Sequence, residues 1–151
     1  MHNENSANAM TILTQMFEAE IEFMRSNGTN FAGIKKIFHP DVTIHEPRSL
    51  PYRGDWNGHE AIARLFQAMS ETWSEMNVEN MSATMDDRTI HMHCTLIVVA
   101  RKSLKEVRQP FAEILMLKDG LVIEGTPFYH DTEALNHAIG LSRPHCPQPS
   151  W

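Results

Sequence analysis

Cysteine is scarce in the 151 residues: Cys94 lies inside an apolar run and Cys146 in a proline-rich terminal stretch. No disulfide framework can be drawn, and a reducing compartment, the cytoplasm, is expected. Basic residues are also few, 13 Lys and Arg against 19 Asp and Glu for a net charge of -6, and they are scattered rather than gathered into a stripe. A polyanion finds no matching surface, so nucleic acid is not an expected partner. No apolar run approaches the roughly 18 residues that cross a bilayer. The opening MHNENSANAM has no basic segment leading into an apolar one. Neither export nor a membrane partner is expected. A phosphate-binding glycine loop, a Ser/His/Asp set and a Cys/His zinc spacing are missing too. No metal and no other cofactor is therefore expected, and acid/base chemistry without a cofactor is what remains.

What is present is 42% apolar residues, enough for one domain with a real core in a chain too short for two. Residues 11–139 read as that domain, 1–10 as a flexible terminus and 140–151 as a tail. Between Thr11 and Ser26, Ile12, Leu13, Met16, Phe17, Ile21 and Met24 return at helical spacing, and Gly28 in SNG can take the positive φ that stops a helix. A shorter helix follows in NFAGIKKIF, until Pro40 forces an exit. The segment DVTIHEP alternates, with Val42, Ile44 and Glu46 on one face and Thr43 and His45 on the other. A third amphipathic helix is read from Ile62, Leu65, Phe66, Met69 and Trp73. The period then changes to that of strands in NVENMSATM, RTIHMHCTLIVVARK, EVRQPFAEILMLK and LVIEGTPFY, which predicts a four-stranded antiparallel meander. Asp131 can cap a last short helix.

Asp119-Gly120 is a strong two-residue hairpin signal and predicts the register of the last two strands, with Lys118 opposite Leu121, Leu115 opposite Glu124 and Glu113 opposite Thr126. One face then carries Phe111, Glu113, Leu115, Glu124, Thr126, Phe128 and His130. The other carries Arg108, Ile114, Met116, Ile123 and Tyr129.

Two acids stand out on apolar faces. Glu46 is in phase with Val42 and Ile44, and Glu113 with Phe111 and Leu115, with Glu124 diagonally across. A carboxylate buried there is costly unless paired, hydrogen-bonded or protonated, and such groups concentrate at functional sites. A cation from a helix would make them merely structural. His91 and His93 share a face but oppose the apolar set of Ile90, Met92, Cys94 and Leu96, so they read as outer-surface residues rather than a metal pair. His45 alternates with Glu46 and can still reach a loop entrance. Tyr52 and Trp56, in the crowded stretch between strand and helix, read either as a packed lid or as aromatics facing a ligand. His130 lies at a mouth with Phe128 or caps the final helix.

The fragments FHPDVTIHEP, GHEAIARLF (Gly58 to Phe66) and LKDGLVIEGTPFYHDTEAL, in this order and spacing, resemble the nuclear transport factor 2-like superfamily, and within it SnoaL-like and ketosteroid isomerase-like proteins. The resemblance covers residues 11 to 139. It implies an α+β cone in which a curved antiparallel sheet, the meander plus a short first strand, packs against three helices of the N-terminal half. It also implies a mostly apolar cavity for a small molecule and a homodimer built on the outer sheet face. Carried over by position, the general base of isomerase-like members falls on Glu46. The protonated acid that stabilises a developing oxyanion falls on Glu113. The tyrosine those proteins bring from the first helix is missing, since Ile21 stands there with Phe17 nearby. Steroid isomerisation is accordingly not expected, and Tyr52 is the candidate replacement donor.

The expected function is proton abstraction and return on a compact apolar carbonyl or polyketide-like molecule. Glu46 and Glu113 would be catalytic, and Phe17, His45, Tyr52, Trp56, Phe66, Glu124, Phe128 and His130 would surround the ligand. The rivals are a non-catalytic ligand-binding or dimer-forming domain, and hydrolysis or dehydration by an acid paired with His45 or His130.

Overall fold

The computed structural model describes residues 2–141, with side chains from Asn8 onward, so Cys146 and the remainder of the expected tail lie outside the described residues. The elements run α1 (His2–Arg25), α2 (Ala32–Ile37), β1 (Phe38–Glu46), β2 (Gly54–Asn57), α3 (Gly58–Thr72), β3 (Trp73–Asp86), β4 (Thr89–Ala100), β5 (Glu106–Lys118), β6 (Leu121–Tyr129) and α4 (Thr132–Ala138). Helix α1 begins at His2, so the stretch expected to be flexible continues the first helix. The helix stops where expected, Asn27 and Gly28 taking φ of 54° and 79° while the Gly28 amide donates back to the Phe23 carbonyl at 2.9 Å. Asp131 caps α4, its side chain accepting from the Ala134 amide at 3.0 Å.

Six strands form one sheet in the order β2-β1-β6-β5-β4-β3. The expected meander is present from β3 to β6, all antiparallel. Strand β1 joins it parallel to β6, which makes the sheet mixed. The sixth strand was not expected: Gly54–Asn57 folds back on β1, pairing Glu46 with Gly54 and Thr43 with Asn57. The crowded connection after Glu46 is therefore a hairpin loop of an added edge strand before it becomes the third helix.

The last hairpin departs from the expected register by one residue. Lys118 does pair with Leu121, and Leu117 with Val122, but Met116 pairs with Glu124, leaving Ile123 extra in β6. This is a β-bulge, and because side chains alternate faces with period two, one inserted residue exchanges the faces of everything beyond it. Leu115 now opposes Gly125, Glu113 opposes Pro127 and Phe111 opposes Tyr129. Glu124 and Phe128 accordingly turn outward, where Phe128 is 52% exposed, and Tyr129 turns inward to stack edge-on against Phe111 at 5.0 Å.

Helices α1 to α3 cover the concave face. Helix α3 buries Ala61, Ile62, Leu65, Phe66 and Met69, and Phe66 meets Phe23 of α1 and Phe38 of β1 edge-to-face at 6.2 and 5.9 Å. Helix α1 sinks Ala9, Leu13, Met16, Ala19, Glu20 and Phe23, while Ile12, Phe17, Ile21 and Met24 are only half-buried. Its inward face thus lies about one residue away from the apolar stripe read from the sequence.

Gly125 lies where the sheet has least room. A Cβ there would meet Leu115 Cδ2 at 3.1 Å and Glu113 Oε2 at 3.4 Å. Gly125→Ala is expected to lower stability by about 1–2 kcal/mol, measured by urea unfolding at pH 5.

Candidate active site

Between the helices and the concave face lies a cavity of ≈ 50 Å³, walled by residues of α1, β1, α3 and β3 to β6. About 10–15 Å³ holds one water, so the space suits roughly four waters or a ligand of similar size. Met16, Phe17, Ile44, Leu65, Phe66 and Phe111 supply much of an apolar wall. Three carboxyl groups interrupt it: Glu20 from α1, Glu46 from β1 and Glu113 from β5, with residue exposures of 6%, 8% and 8%.

No Lys, Arg or His lines this cavity, so the price of removing three acids from water is not met by an ion pair. Each acid holds its proton more tightly than usual as a result. Burial lifts Glu20 from 4.5 to about 7. Burial, reinforced by repulsion from Glu20, lifts Glu46 to about 8. Glu113 is raised well above its ordinary value by burial and by the charges of Glu46 and Glu20. Burial and Glu113 together also push the Cys94 thiol up to about 11.

Of the three, only Glu46 is hydrogen-bonded among the described residues, the Tyr129 hydroxyl donating to its Oε2 at a long 3.4 Å. Behind it, the hydroxyls of Tyr129 and Tyr52 interact by hydrogen bonding, and Trp73 Nε1 donates to Tyr52 Oη at 2.9 Å. This array reaches the cavity where the Tyr129 hydroxyl donates to Glu46. It ends on a carboxyl oxygen and favours the ionised form of that acid, partly opposing burial. Glu20 and Glu113 have no hydrogen-bond or ion-pair partner among the described residues, and their oxygens are left to the cavity.

Of the residues singled out in the sequence, Glu46, Glu113, Phe17 and Phe66 face the cavity. Tyr52 is buried behind it, does not line it, and is near enough to feel the charges of Glu46 and Glu20. Trp56 is tied to the Tyr52 carbonyl at 3.1 Å and does not line the space. His45 points to the other side of β1, against Asp55 at 2.7 Å and Glu124 at 3.9 Å. Glu124 and Phe128 lie outside because of the bulge, and His130 is exposed. No acid-histidine pair therefore meets in the cavity. His91 and His93 lie exposed on the outer sheet face, as expected.

Glu20 and Tyr129 were missed. Glu20 is in helical phase with Leu13, Met16 and Phe23, which was the available signal. Tyr129 is hidden by the bulge, which no residue pattern around Ile123 announces.

Residues 17–125 match the SnoaL-like domain family. The fold is similar to a nuclear transport factor 2-like protein of unknown function from Burkholderia pseudomallei, at 18% identity, with 88% of this chain and 98% of that one covered and a TM-score of 0.72. It is also similar to TerC co-crystallised with polyporic acid (17% identity, 85% and 97% covered, TM-score 0.70). It is similar as well to a Jannaschia protein named a SnoaL-like polyketide cyclase, at 17% identity, with 93% of this chain and 96% of that one covered and a TM-score of 0.69. No curated protein sequence matches the chain. Among the described residues, no helix is long and apolar enough to cross a membrane.

The raised carboxyls have a consequence for stability. Below about pH 4.5 folded and unfolded chains both keep these protons, so nothing is lost. From there to about pH 8 the unfolded chain releases them while the folded chain retains them, and stability falls as pH rises. Urea unfolding is expected to show this decline between pH 5 and pH 8.5. Glu20→Gln should reduce the decline and leave the variant more stable than the parent at pH 8.5 by on the order of 2 kcal/mol.

Proposed function

The chain belongs to the SnoaL-like family, and from that footing we propose that it is a cofactor-independent acid/base enzyme, of isomerase, cyclase or lyase type, acting on a compact apolar carbonyl compound. The observation that carries this reading is the group of three acids in an apolar cavity whose lining contains no cation. A general acid or base works best with a pKa near the working pH, and Glu46 is lifted to about 8.

In this reading Glu46 takes a proton from carbon next to the carbonyl and later returns it. The Tyr129 hydroxyl, itself held by Tyr52 and Trp73, steadies the carboxylate while it is charged. Glu113, kept neutral by burial, donates to the carbonyl oxygen as negative charge builds there, the place where a buried donor contributes most. Phe17 and Phe66 confine the substrate and exclude water. The cavity size favours a small carbonyl compound over a polycyclic polyketide unless the helices part.

The outer sheet face exposes Ile114, Met116 and Phe128, and we read it as the contact with a second copy. Cys94 is a buried free thiol and suits a reducing compartment such as the cytoplasm. A domain that only dimerises or only carries an apolar ligand has less support, because neither role gains anything from three buried acids that weaken the fold at neutral pH.

The test needs no knowledge of the natural substrate. Butanone in D2O at pH 8, followed by proton NMR, should exchange its α-protons faster with the protein than without it. Glu46→Gln should lower that rate by about 10²-fold or more. Equal rates for parent and variant would refute the assignment of Glu46 as the base.

A further inference from the structure

The proton transfer just described uses Glu46 and Glu113 and leaves Glu20 without a task. Yet Glu20 is the acid that α1 brings to the cavity, nine-tenths buried and with no hydrogen-bond or ion-pair partner among the described residues. Glu113 is likewise unpartnered toward the protein. We propose that the compact carbonyl compound taken by this cavity also carries an amine, bound as its ammonium form with Glu20 as counter-ion and the Glu113 and Glu46 carboxyls as further acceptors.

Three features lead there. An ammonium group has three N–H donors and no acceptor, and three carboxyls from three different elements supply acceptors around one small space. No three of the described His, Cys, Asp or Glu side chains are arranged to hold a metal ion, which points to a molecular cation with a larger reach. A carbonyl oxygen alone would need one donor, whereas a third acid adds only repulsion unless a positive charge arrives to offset it. The same lining disfavours carboxylates and phosphates as ligands, since they would meet like charge in a poorly solvated place.

The titratable groups that share the cavity with Glu20 are Glu46 from β1, Glu113 from β5 and Tyr129 from β6, with Tyr52 behind the wall within reach of its charge and the Cys94 thiol of β4 beside Glu113. None of them brings a positive charge. Glu20 ionises at about 7, while an alkylamine keeps its proton to about pH 10, so ammonium affinity should rise across neutral pH as the carboxylate forms.

The inference rests on the reading that this cavity is the ligand site, but not on Glu46 being a base. Three probes of equal heavy-atom count separate the cases by calorimetry: isobutylammonium, butanone and propionate. Isobutylammonium is expected to bind most tightly at pH 8, about tenfold more tightly than at pH 6, and propionate least. Glu20→Gln should weaken isobutylammonium at least tenfold and remove its pH dependence. Tighter binding of butanone than of isobutylammonium at pH 8 would overturn the proposal, as would unchanged ammonium affinity in Glu20→Gln. If the amine fails to bind while butanone still exchanges its α-protons in a Glu46-dependent way, the ammonium assignment falls and the acid/base reading stands. If the amine binds as described and exchange does not depend on Glu46, the reverse holds.

Discussion

A carboxyl group enclosed by hydrocarbon must either keep its proton or meet a cation, and the wall around Glu20, Glu46 and Glu113 offers no cation. Most of what is unusual in this molecule follows from that. Burial raises all three, and the charge of Glu20 further raises Glu46 while the charges of both raise Glu113, because the space they share is poorly screened. The Trp73-Tyr52-Tyr129 chain acts in the opposite sense on Glu46 alone, which makes one of three similar groups chemically distinct. Gly125, opposite Leu115, leaves Glu113 the space it occupies. A fold selected for stability alone would fill this space with apolar side chains. The three acids retained there are what the proposed acid/base function rests on.

The architecture was largely legible because it rests on periods. Helical spacing placed α1, α2 and α3, alternation placed β3 to β6, and the side chain of Asp131 caps α4 as its type suggests. Two features were not legible. Strand β2 is four residues long and has no alternating apolar face of its own, existing only because β1 offers an edge beyond the reach of the meander. The bulge at Ile123 is a matter of tertiary fit: β6 must pair with β5 on one side and run parallel to β1 on the other. The extra residue lies between its pairings with Leu117 and Met116. Nothing in the local sequence distinguishes Val122-Ile123-Glu124 from a regular strand.

The site was legible to the same degree and for the same reasons. Glu46 and Glu113 sit on strands whose phase is fixed by several apolar neighbours, so their inward direction could be read. Glu124, Phe128 and Tyr129 lie beyond the bulge, and their faces are reversed as a group, which moved the phenol into the site and the other two out of it. Glu20 was obscured differently. Helix α1 carries apolar residues on more than one face, and the stripe through Ile12, Phe17, Ile21 and Met24 competes with the one through Leu13, Met16 and Phe23 that is actually buried. His45 shows the strength of plain alternation: it flanks Glu46 in sequence and points the other way, to Asp55.

The central claim is that the three cavity acids remain protonated into the neutral range, and a direct measurement is a carbon-13 NMR titration of the glutamate carboxyls. Resonances assigned by Glu20→Gln, Glu46→Gln and Glu113→Gln should move with midpoints near 7 for Glu20, near 8 for Glu46 and well above the usual carboxyl range for Glu113. Midpoints for all three at about 4.5, the range of an exposed glutamate, would contradict the account.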